Sequence, residues 1–477
     1  MRTTAAGDSV TARSRLTAEQ LMPRDAVFVY DEFERHPSNI VAAYVFDATD
    51  TASPDYESAV GWMRDRLGFS PLFRRRLARV PGDIDMPYWV PDAAFDIREH
   101  VTAYGPEYSE WADVRRRISE ITGTRMDLSR PPWELHLFGK VTDFPGRPAV
   151  TIVVLKFHHS VGDGVATRQL ELTLFGGNEV LPADPAGDIG SWSAPAAAVR
   201  GLGLLPFRCV RFVRGLARTR AAAAEVAASA VREPVAHRPA TRFNRGVGPD
   251  LAFDLVTFPL HDILEVKSVF AERVTVNDLL LAVVSGALAD YLAERGETPP
   301  ESLAAMVPIS MRGIAPWNSA NRLCQMSVDL HTGIADPLER LRAIRSSARD
   351  EKLRYRDAAV IRRESRVETS PAWLLRLAGW ARARRVFDGV ATVPLTNTTI
   401  SNVPPVSERL EFLGMPVAGV FGVLPVMDGD GLRHLITSQG ADLVISVSAD
   451  PAMLPDPERY RELLFRSFRQ LRAAIGA

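Results

Sequence analysis

The segment 157–164, Phe-His-His-Ser-Val-Gly-Asp-Gly, has the residue types of a proton-transfer site. The apolar run before it, 150–155, predicts a buried strand, and residues 165–172 predict the start of a helix. The polar segment therefore lies in a strand-to-helix turn, where a rigid scaffold often presents functional side chains. We favour a functional site over two structural histidines because imidazoles, glycines and a carboxylate occur together here.

The two histidines are expected to have different roles. Neighbouring residues on an extended chain point to opposite faces, so His158 and His159 should not converge on one metal ion. One working imidazole and one buried imidazole are expected instead, and a neutral histidine is a good general base near neutral pH. Asp163 is expected to fix a ring tautomer or to brace the loop through an arginine. Gly162 and Gly164 suit a tight turn or a positive φ.

Length and composition exclude several classes of protein. A chain of 477 residues suggests two large domains, and its net charge of -1 excludes a globally basic nucleic-acid binder. Cys209 and Cys324 give neither a disulfide framework nor a zinc spacing, which fits a reducing cytosol. No apolar run reaches the ~18–20 residues that span a bilayer. Residues 1–20 lack the apolar core of a secretory signal.

The chain divides at changes of composition. We predict a disordered tail over 1–20, an N-terminal domain over 21–180, a linker with a basic helix over 181–240, and a C-terminal domain over 241–477. In the linker, Arg208, Arg211, Arg214 and Arg218 recur at helical spacing. Two interpretations stay open: an interfacial helix that meets anionic lipid headgroups, or a helical connector with solvated arginines.

Two segments of the second half carry further polar candidates. Residues 275–278, Thr-Val-Asn-Asp, form an N-terminal cap for an apolar helix, which by itself explains Asn277 or Asp278. Residues 398–403, Thr-Thr-Ile-Ser-Asn-Val, predict a strand on which Thr399 and Ser401 share a face. Hydroxyl groups at the end of a strand are able to donate to an oxyanion.

Several of these segments carry a resemblance. His-His-x-x-x-Asp-Gly is the signature of the CoA-dependent acyltransferase superfamily, which includes chloramphenicol acetyltransferase and condensation domains. The chain further resembles the bacterial wax ester synthase/diacylglycerol acyltransferase family, with Ala320 and Pro405 in place of two usual glycines. The matching segments are Arg-Arg-Arg-Leu at 74–77, Phe-Asp-x-x-x-His at 95–100, Pro-Pro-Trp-Glu at 131–134, Val-Asn-Asp at 276–278, Val-Pro-Ile-Ser-Met-Arg at 307–312 and Ser-Asn-Val-Pro at 401–404.

The resemblance implies an α/β (α+β) fold of two chloramphenicol-acetyltransferase-like domains, each a mixed sheet flanked by helices, with a channel between them. It implies transfer of a long-chain acyl group from acyl-CoA, as co-substrate, to diacylglycerol or a fatty alcohol, with no cofactor and no metal. His159 would be the base, and His158, Asp163 and Gly164 would support it. The expected oxyanion or substrate-binding residues are Ser401, Thr399, Asn402, Asn277 and Asp278.

The expected location is the cytoplasm, with peripheral contact to the inner face of the membrane or to lipid droplets and no nucleic-acid partner. Three alternatives stay open. The acyl donor could be a carrier protein, the acceptor could be the alcohol of a specialised metabolite, and the protein could be a non-catalytic lipid-binding protein that keeps the fold.

Overall fold

The computed structural model describes residues 16–50, 52–176, 192–270, 274–385, 394–403 and 409–476, and its core consists of two six-stranded mixed β-sheets. The strands are β1 Glu19–Gln20, β2 Asn39–Asp47, β3 Arg75–Ala78, β4 Tyr88–Pro91, β5 Val101–Tyr104, β6 Trp133–Thr142, β7 Ala149–His158, β8 Ala252–Pro259, β9 Ala304–Ser310, β10 Leu323–Asp329, β11 Thr398–Asn402, β12 Glu411–Phe412, β13 Met415–Val423, β14 Leu432–Gln439 and β15 Asp442–Ala449.

Helices flank both sheets. They are α1 Pro23–Tyr30, α2 Tyr56–Arg64, α3 Trp111–Gly123, α4 Gly164–Phe175, α5 Ala194–Ala228, α6 Leu260–Ser268, α7 Val276–Glu294, α8 Pro337–Arg354, α9 Ala358–Glu364, α10 Ala372–Ala383 and α11 Pro457–Ala474. The predicted mixed α/β fold with two sheets is therefore confirmed.

Strand β7 lies near the centre of the first sheet, whose order is β12-β13-β2-β7-β6-β5. All of its residues are buried, as the apolar run within 150–155 predicts for a strand covered on both faces. Val153, Leu155 and Phe157 pack into a core on one face. Ile152 and Val154 pack on the other face against Phe253 and Leu255 of the second sheet. This strand ends at His158, so its rigid position fixes the turn that follows.

The second sheet has the order β10-β9-β11-β14-β15-β8, and two strands from its half of the chain, β12 and β13, belong to the first sheet instead. Strand β13 pairs antiparallel with β2 of the first sheet, with a register irregularity between Val417 and Gly419. It also packs closely on the second sheet, where Thr437 donates a hydrogen bond to the carbonyl of Val420. The two halves are therefore joined by shared backbone pairing as well as by apolar packing.

Some local expectations differ from the structure. The matching segment at 95–100 is a turn, in which the Asp96 carboxylate caps Ile97–Glu99, and strand pairing starts only at Val101. The predicted tail includes Glu19 and Gln20, but these residues pair with Trp89 and Tyr88 in a three-stranded sheet. Residues 1–15 and 177–191 lie outside the described residues.

Helix α7 is the one described helix that is long and apolar enough to cross a membrane by length and composition. It lies in the core of the C-terminal half, where Leu280, Val284 and Leu288 are buried. Its packing partners account for its apolar composition. The helix begins with a capping box, in which the Thr275 hydroxyl accepts from the backbone of Asp278 and the Asp278 carboxylate accepts from that of Thr275.

Candidate active site

The turn after β7 separates its two histidines as strand alternation predicts. His158, the last residue of the strand, is fully buried, while His159 keeps partial exposure and lines a cavity of about 530 Å³. Among the described residues no cluster of side chains is able to hold a metal ion. The two rings therefore face different surroundings.

His158 is held inside the N-terminal half. Its Nδ1 accepts a hydrogen bond from the backbone N–H of Ser160 at 3.2 Å. Its Nε2 lies 3.6 Å from the carboxylate of Glu32, which is itself buried. Burial raises the pKa of Glu32, but His158, the Ser38 amide and Arg125 outweigh it, so the pKa of that carboxyl is lowered. His158 is thus an internal brace of the turn.

Hydrogen bonds from the other half of the chain fix the tautomer of His159. The side-chain amide nitrogen of Asn321 donates to the Asp25 carboxylate at 2.8 Å and to the His159 carbonyl at 2.9 Å. The remaining Asn321 atom, Oδ1, lies 3.1 Å from His159 Nδ1 and is able only to accept. Nδ1 therefore carries the hydrogen, and the lone pair of Nε2 is free to take a proton.

Burial and stacking keep this imidazole neutral and in place. Phe28 of α1 stacks on the His159 ring with a centroid distance of 4.1 Å and an interplanar angle of 8°. Burial is the largest cause, and it lowers the pKa of His159 to about 4. A histidine with this pKa is uncharged at neutral pH, which is the form that a general base requires.

Asp163 braces the turn and does not contact the ring of His159. Its carboxylate accepts from the Arg312 guanidinium at 2.6 Å and from the backbone N–H of Arg322 at 2.8 Å. It also caps helix α4 by accepting from the amides of Val165 and Ala166. Burial raises the pKa of Asp163, but these donors lower it by a larger amount. The net pKa is below the ordinary value, so the carboxylate is ionised. Of the two roles expected for Asp163, the arginine brace is the one that the structure contains.

The steric demand for glycine falls at Gly162 rather than at Gly164. A Cβ on Gly162 would lie 2.6 Å from the Cβ of Ala166, which no side chain tolerates without movement of α4. A Cβ on Gly164 would lie 3.9 Å from Val403, an ordinary van der Waals distance. The space around Gly164 therefore gives no steric reason for a glycine at this position. Gly164 instead lines the cavity beside His159.

Strand β11 brings Thr399, Ser401 and Asn402 to the same cavity. Ile400 points into the core of the C-terminal half, as alternation predicts. The Thr399 hydroxyl donates to the Asp430 carboxylate at 2.5 Å, so its hydrogen is already engaged. The Ser401 hydroxyl makes no hydrogen bond to the described residues and is free to donate to a ligand. Pro405 lies outside the described residues.

The capping segment of α7 contributes one of its two polar residues. Asn277 lines the cavity. Asp278 is buried and its carboxylate accepts from the backbone of Thr275 at 2.9 Å. Asp278 does not line the cavity, so a binding role for it is not supported by its position, and its contact explains it as a helix cap.

The cavity beside His159 is largely apolar, and a second cavity lies on the other side of the turn. Residues of both halves line the first one, among them Met306, Ile309, Leu323, Met326, Leu424 and Met427. The second cavity, of about 510 Å³, is lined by Ser160, Val161 and Ala166 of the turn and by Asn318 and Arg322. The turn is thus accessible from two sides of the interface between the halves.

Sequence reasoning missed Asp25, Asn321 and Phe28 as site residues. Asp25 is buried and accepts three hydrogen bonds, two from Asn321 and one from the Ala320 amide. Burial raises its pKa, and these hydrogen bonds oppose that rise. Asn321 follows Ala320, one of the two departures from the family pattern, but nothing in that segment indicates a partner 162 residues away.

Comparisons with known sequences match nearly the whole chain. A profile of the wax ester synthase/diacylglycerol acyltransferase catalytic domain matches residues 21–280, and one of the WS/DGAT C-terminal domain matches residues 319–472. A putative diacylglycerol O-acyltransferase of Mycobacterium tuberculosis is 29% identical, over 96% of this chain and 100% of the relative. Another from that organism is 27% identical, over 94% and 90%.

Solved structures show the same fold. The wax ester synthase/diacylglycerol acyltransferase from Marinobacter aquaeolei VT8 has a TM-score of 0.65 at 21% identity and covers 96% of this chain and 100% of its own. A trichothecene 15-O-acetyltransferase from Fusarium sporotrichioides has a TM-score of 0.57 at 14% identity, over 98% of this chain and 100% of its own. The starter condensation domain of rhizomide synthetase has a TM-score of 0.53 at 13% identity, over 97% and 95%.

Proposed function

We propose that this chain moves a long-chain acyl group from acyl-CoA to diacylglycerol or a long-chain alcohol. The chain belongs to the wax ester synthase/diacylglycerol acyltransferase family and is an O-acyltransferase. The observation that carries this proposal is the geometry of His159. Its Nδ1 is committed to Asn321, its Nε2 is free, and its ring lies in an apolar cavity between the halves.

In this proposal His159 activates the acceptor directly. Nε2 takes the proton from the acceptor hydroxyl while the hydroxyl oxygen attacks the thioester carbonyl carbon. The tetrahedral intermediate collapses with cleavage of the carbon–sulfur bond. The thiolate of CoA leaves and receives the proton back from Nε2, so that the products are an ester and a free thiol. No covalent acyl-enzyme is required.

The negative charge of the tetrahedral intermediate needs a hydrogen-bond donor. Ser401 is the best candidate because its hydroxyl lines the cavity and has no partner among the described residues. Asn277 is the second candidate, since its side chain lines the same cavity. Thr399 is less suitable because its hydroxyl already donates to Asp430. A fixed donor of this kind is typically worth about 10²–10³-fold in rate.

Asn321 and Asp25 act through His159 as positioning residues. Asp25 accepts from Asn321 and thereby orients its amide, and the Asn321 oxygen then selects the Nδ1–H tautomer. Asp163 and Arg312 hold the turn across the interface between the halves. The two halves must therefore be docked for the base to be in its working form.

The apolar cavity suits an acyl chain, and the two-sided access suits two substrates. Methionine and branched aliphatic side chains line much of the cavity beside His159, and its charged lining residues are Asp163, Lys352 and Arg433. We propose that one substrate reaches the turn from this cavity and the other from the cavity that contains Ser160 and Val161. Both reacting groups would meet at His159 Nε2.

The proposed acceptors and products partition into lipid, so we also propose that the enzyme works in the cytoplasm at a lipid surface. The lipid surface is supported by the chemistry of the substrates, since a water-insoluble alcohol is delivered from a membrane or a lipid droplet.

A thiol-release assay tests the proposed reaction. The purified chain is mixed with palmitoyl-CoA and, in separate reactions, with diacylglycerol, hexadecanol or a short-chain alcohol, and free CoA and ester are measured together. We expect ester and CoA in equal amounts with at least one lipid alcohol. A parallel reaction with a palmitoylated acyl carrier protein distinguishes the two donors.

Two results would contradict the proposal. Absence of free CoA with every acceptor would overturn acyl transfer from CoA, and transfer from the carrier protein alone would replace the donor. Binding of palmitoyl-CoA without turnover would indicate a lipid-binding protein instead of an enzyme.

A further inference from the structure

Helix α5 turns its large apolar side chains outward. Those that are between 40% and 71% exposed are Val199, Leu202, Phe207, Val210, Val213 and Leu216. Apart from Phe207 they recur at helical spacing, with Pro206 in the position between Leu202 and Val210. They form an apolar stripe along the solvent side of the helix, where a surface helix normally carries polar residues.

The packed side of α5 has mostly small residues, and these set the orientation of the helix. Gly201 and Gly215 are buried, together with Ala197 and Ala222. A Cβ on Gly201 would lie 3.1 Å from the Cβ of Asp85, and one on Gly215 would lie 2.2 Å from the Oγ1 of Thr369. The helix is therefore unable to rotate its larger apolar residues inward, and their exposure is a fixed property of the fold.

Helix α10 has the same construction. Trp373, Leu377 and Trp380 lie on one face and are 42%, 52% and 53% exposed. Its packed face includes Gly379, where a Cβ would lie 1.9 Å from the carbonyl oxygen of Tyr30. Both helices pack on the segment Pro81–Asp85, α5 through Arg208 and Asp85 and α10 through Arg376 and Asp83. We call the outward faces of α5 and α10 the apolar rim.

The charges around the apolar rim are almost all positive. Helix α10 contains no acidic residue, and the one acid of α5, Glu225, is paired with Arg362 near the end of that helix. Exposed arginines follow the stripe on α5, among them Arg214 and Arg218. The guanidinium of Arg384 lies 4.0 Å from the centroid of the Trp380 ring. Tryptophan next to arginine is typical of side chains at a membrane interface.

We propose that the apolar rim docks on a lipid surface that carries anionic headgroups, an inference that rests on the proposed function for its lipid-soluble acceptor. The outward aliphatic and tryptophan side chains would enter the boundary of headgroups and acyl chains, and the flanking arginines would contact lipid phosphates. A protein partner is less favoured because the rim offers few hydrogen-bonding groups and one sign of charge. Its apolar exposure and its positive charge are both complementary to an anionic lipid surface.

Co-sedimentation with vesicles tests the proposal. The purified chain is mixed with vesicles of phosphatidylcholine alone and of phosphatidylcholine with phosphatidylglycerol, at low and high salt. We expect binding to the anionic vesicles that weakens as salt rises. A variant with the changes Trp373→Ser, Leu377→Ser and Trp380→Ser should lose at least about tenfold in affinity, and Arg214→Gln with Arg218→Gln several-fold.

A matched variant controls for loss of exposed apolar side chains in general. Leu264, Leu353 and Leu413 are 43%, 52% and 43% exposed at other places, and their joint change to serine should leave vesicle binding unaltered. Melting temperatures and turnover on detergent-dispersed substrates show that each variant is folded. Equal vesicle binding by the rim variant and the native chain, or no binding by the native chain, would overturn the proposal. Vesicle binding by a chain that lacks turnover would refute the proposed function but not this surface.

Discussion

The catalytic turn has a histidine on each of its two sides, and the two histidines have different environments: His158 is buried, and His159 lines a cavity. On the buried side His158 is braced by Ser160 and Glu32, all from the N-terminal half. On the cavity side His159 is held by Asn321 from the C-terminal half, and its Nε2 has no hydrogen-bond partner among the residues that the structure describes. The roles of two adjacent histidines are therefore determined by the residues that pack on each side of the strand end.

The largest expected effect is the loss of the base on the cavity side. His159→Ala should reduce turnover by about 10²–10⁴-fold, because the acceptor hydroxyl loses the group that takes its proton. Thiol release measured beside the melting temperature checks this, since the variant should stay folded. Near-normal turnover in a folded His159→Ala protein would contradict the assigned role.

The next effect concerns the donor to the oxyanion. Ser401→Ala should reduce turnover by up to about 10²–10³-fold. Thr399→Val is the matched control on the same strand, and it should change turnover only a few-fold because its hydroxyl donates to Asp430. A larger loss for Thr399→Val than for Ser401→Ala would reverse the assignment of the two hydroxyls.

The positioning of His159 from the other half gives a smaller effect. Asn321→Ala should lower kcat by about 10–100-fold, the usual loss when an orienting partner is removed. KM should change little, because Asn321 contacts the base and not the substrate. A variant that raises KM while kcat stays constant would show that Asn321 binds substrate instead.

The buried side should give the smallest effect on turnover and a clear effect on stability. His158→Asn removes the ring beside Glu32 and should lower the free energy of unfolding by about 1–3 kcal/mol. Turnover of the folded protein should stay within a few-fold of normal. Thermal denaturation gives the folded fraction, and thiol release is then expressed per folded molecule. A loss of activity as large as that of His159→Ala would remove the distinction between the two sides.

The parts of the fold and site that follow local rules could be predicted from the sequence. The apolar run before His158 predicted the central strand, alternation separated the two rings, and Thr275 with Asp278 predicted a helix cap. The contacts of Asn321 with His159 and Asp25 could not be predicted, because they join residues far apart in the chain across the interface between the halves. The pairing of β13 with β2 was hidden for the same reason. Spacing alone also could not show that the Thr399 hydroxyl is engaged by Asp430.

The central claim is that a neutral His159 takes the proton, and the pH dependence of kcat/KM tests it most directly. Protonation of Nε2 abolishes the base, so activity must fall as the pH drops through the pKa of His159, which burial lowers to about 4. We predict an acidic limb well below the ordinary histidine pKa of about 6.5, in both the native chain and His158→Asn, over a range where circular dichroism shows both folded. An acidic limb near or above 6.5 would contradict the account.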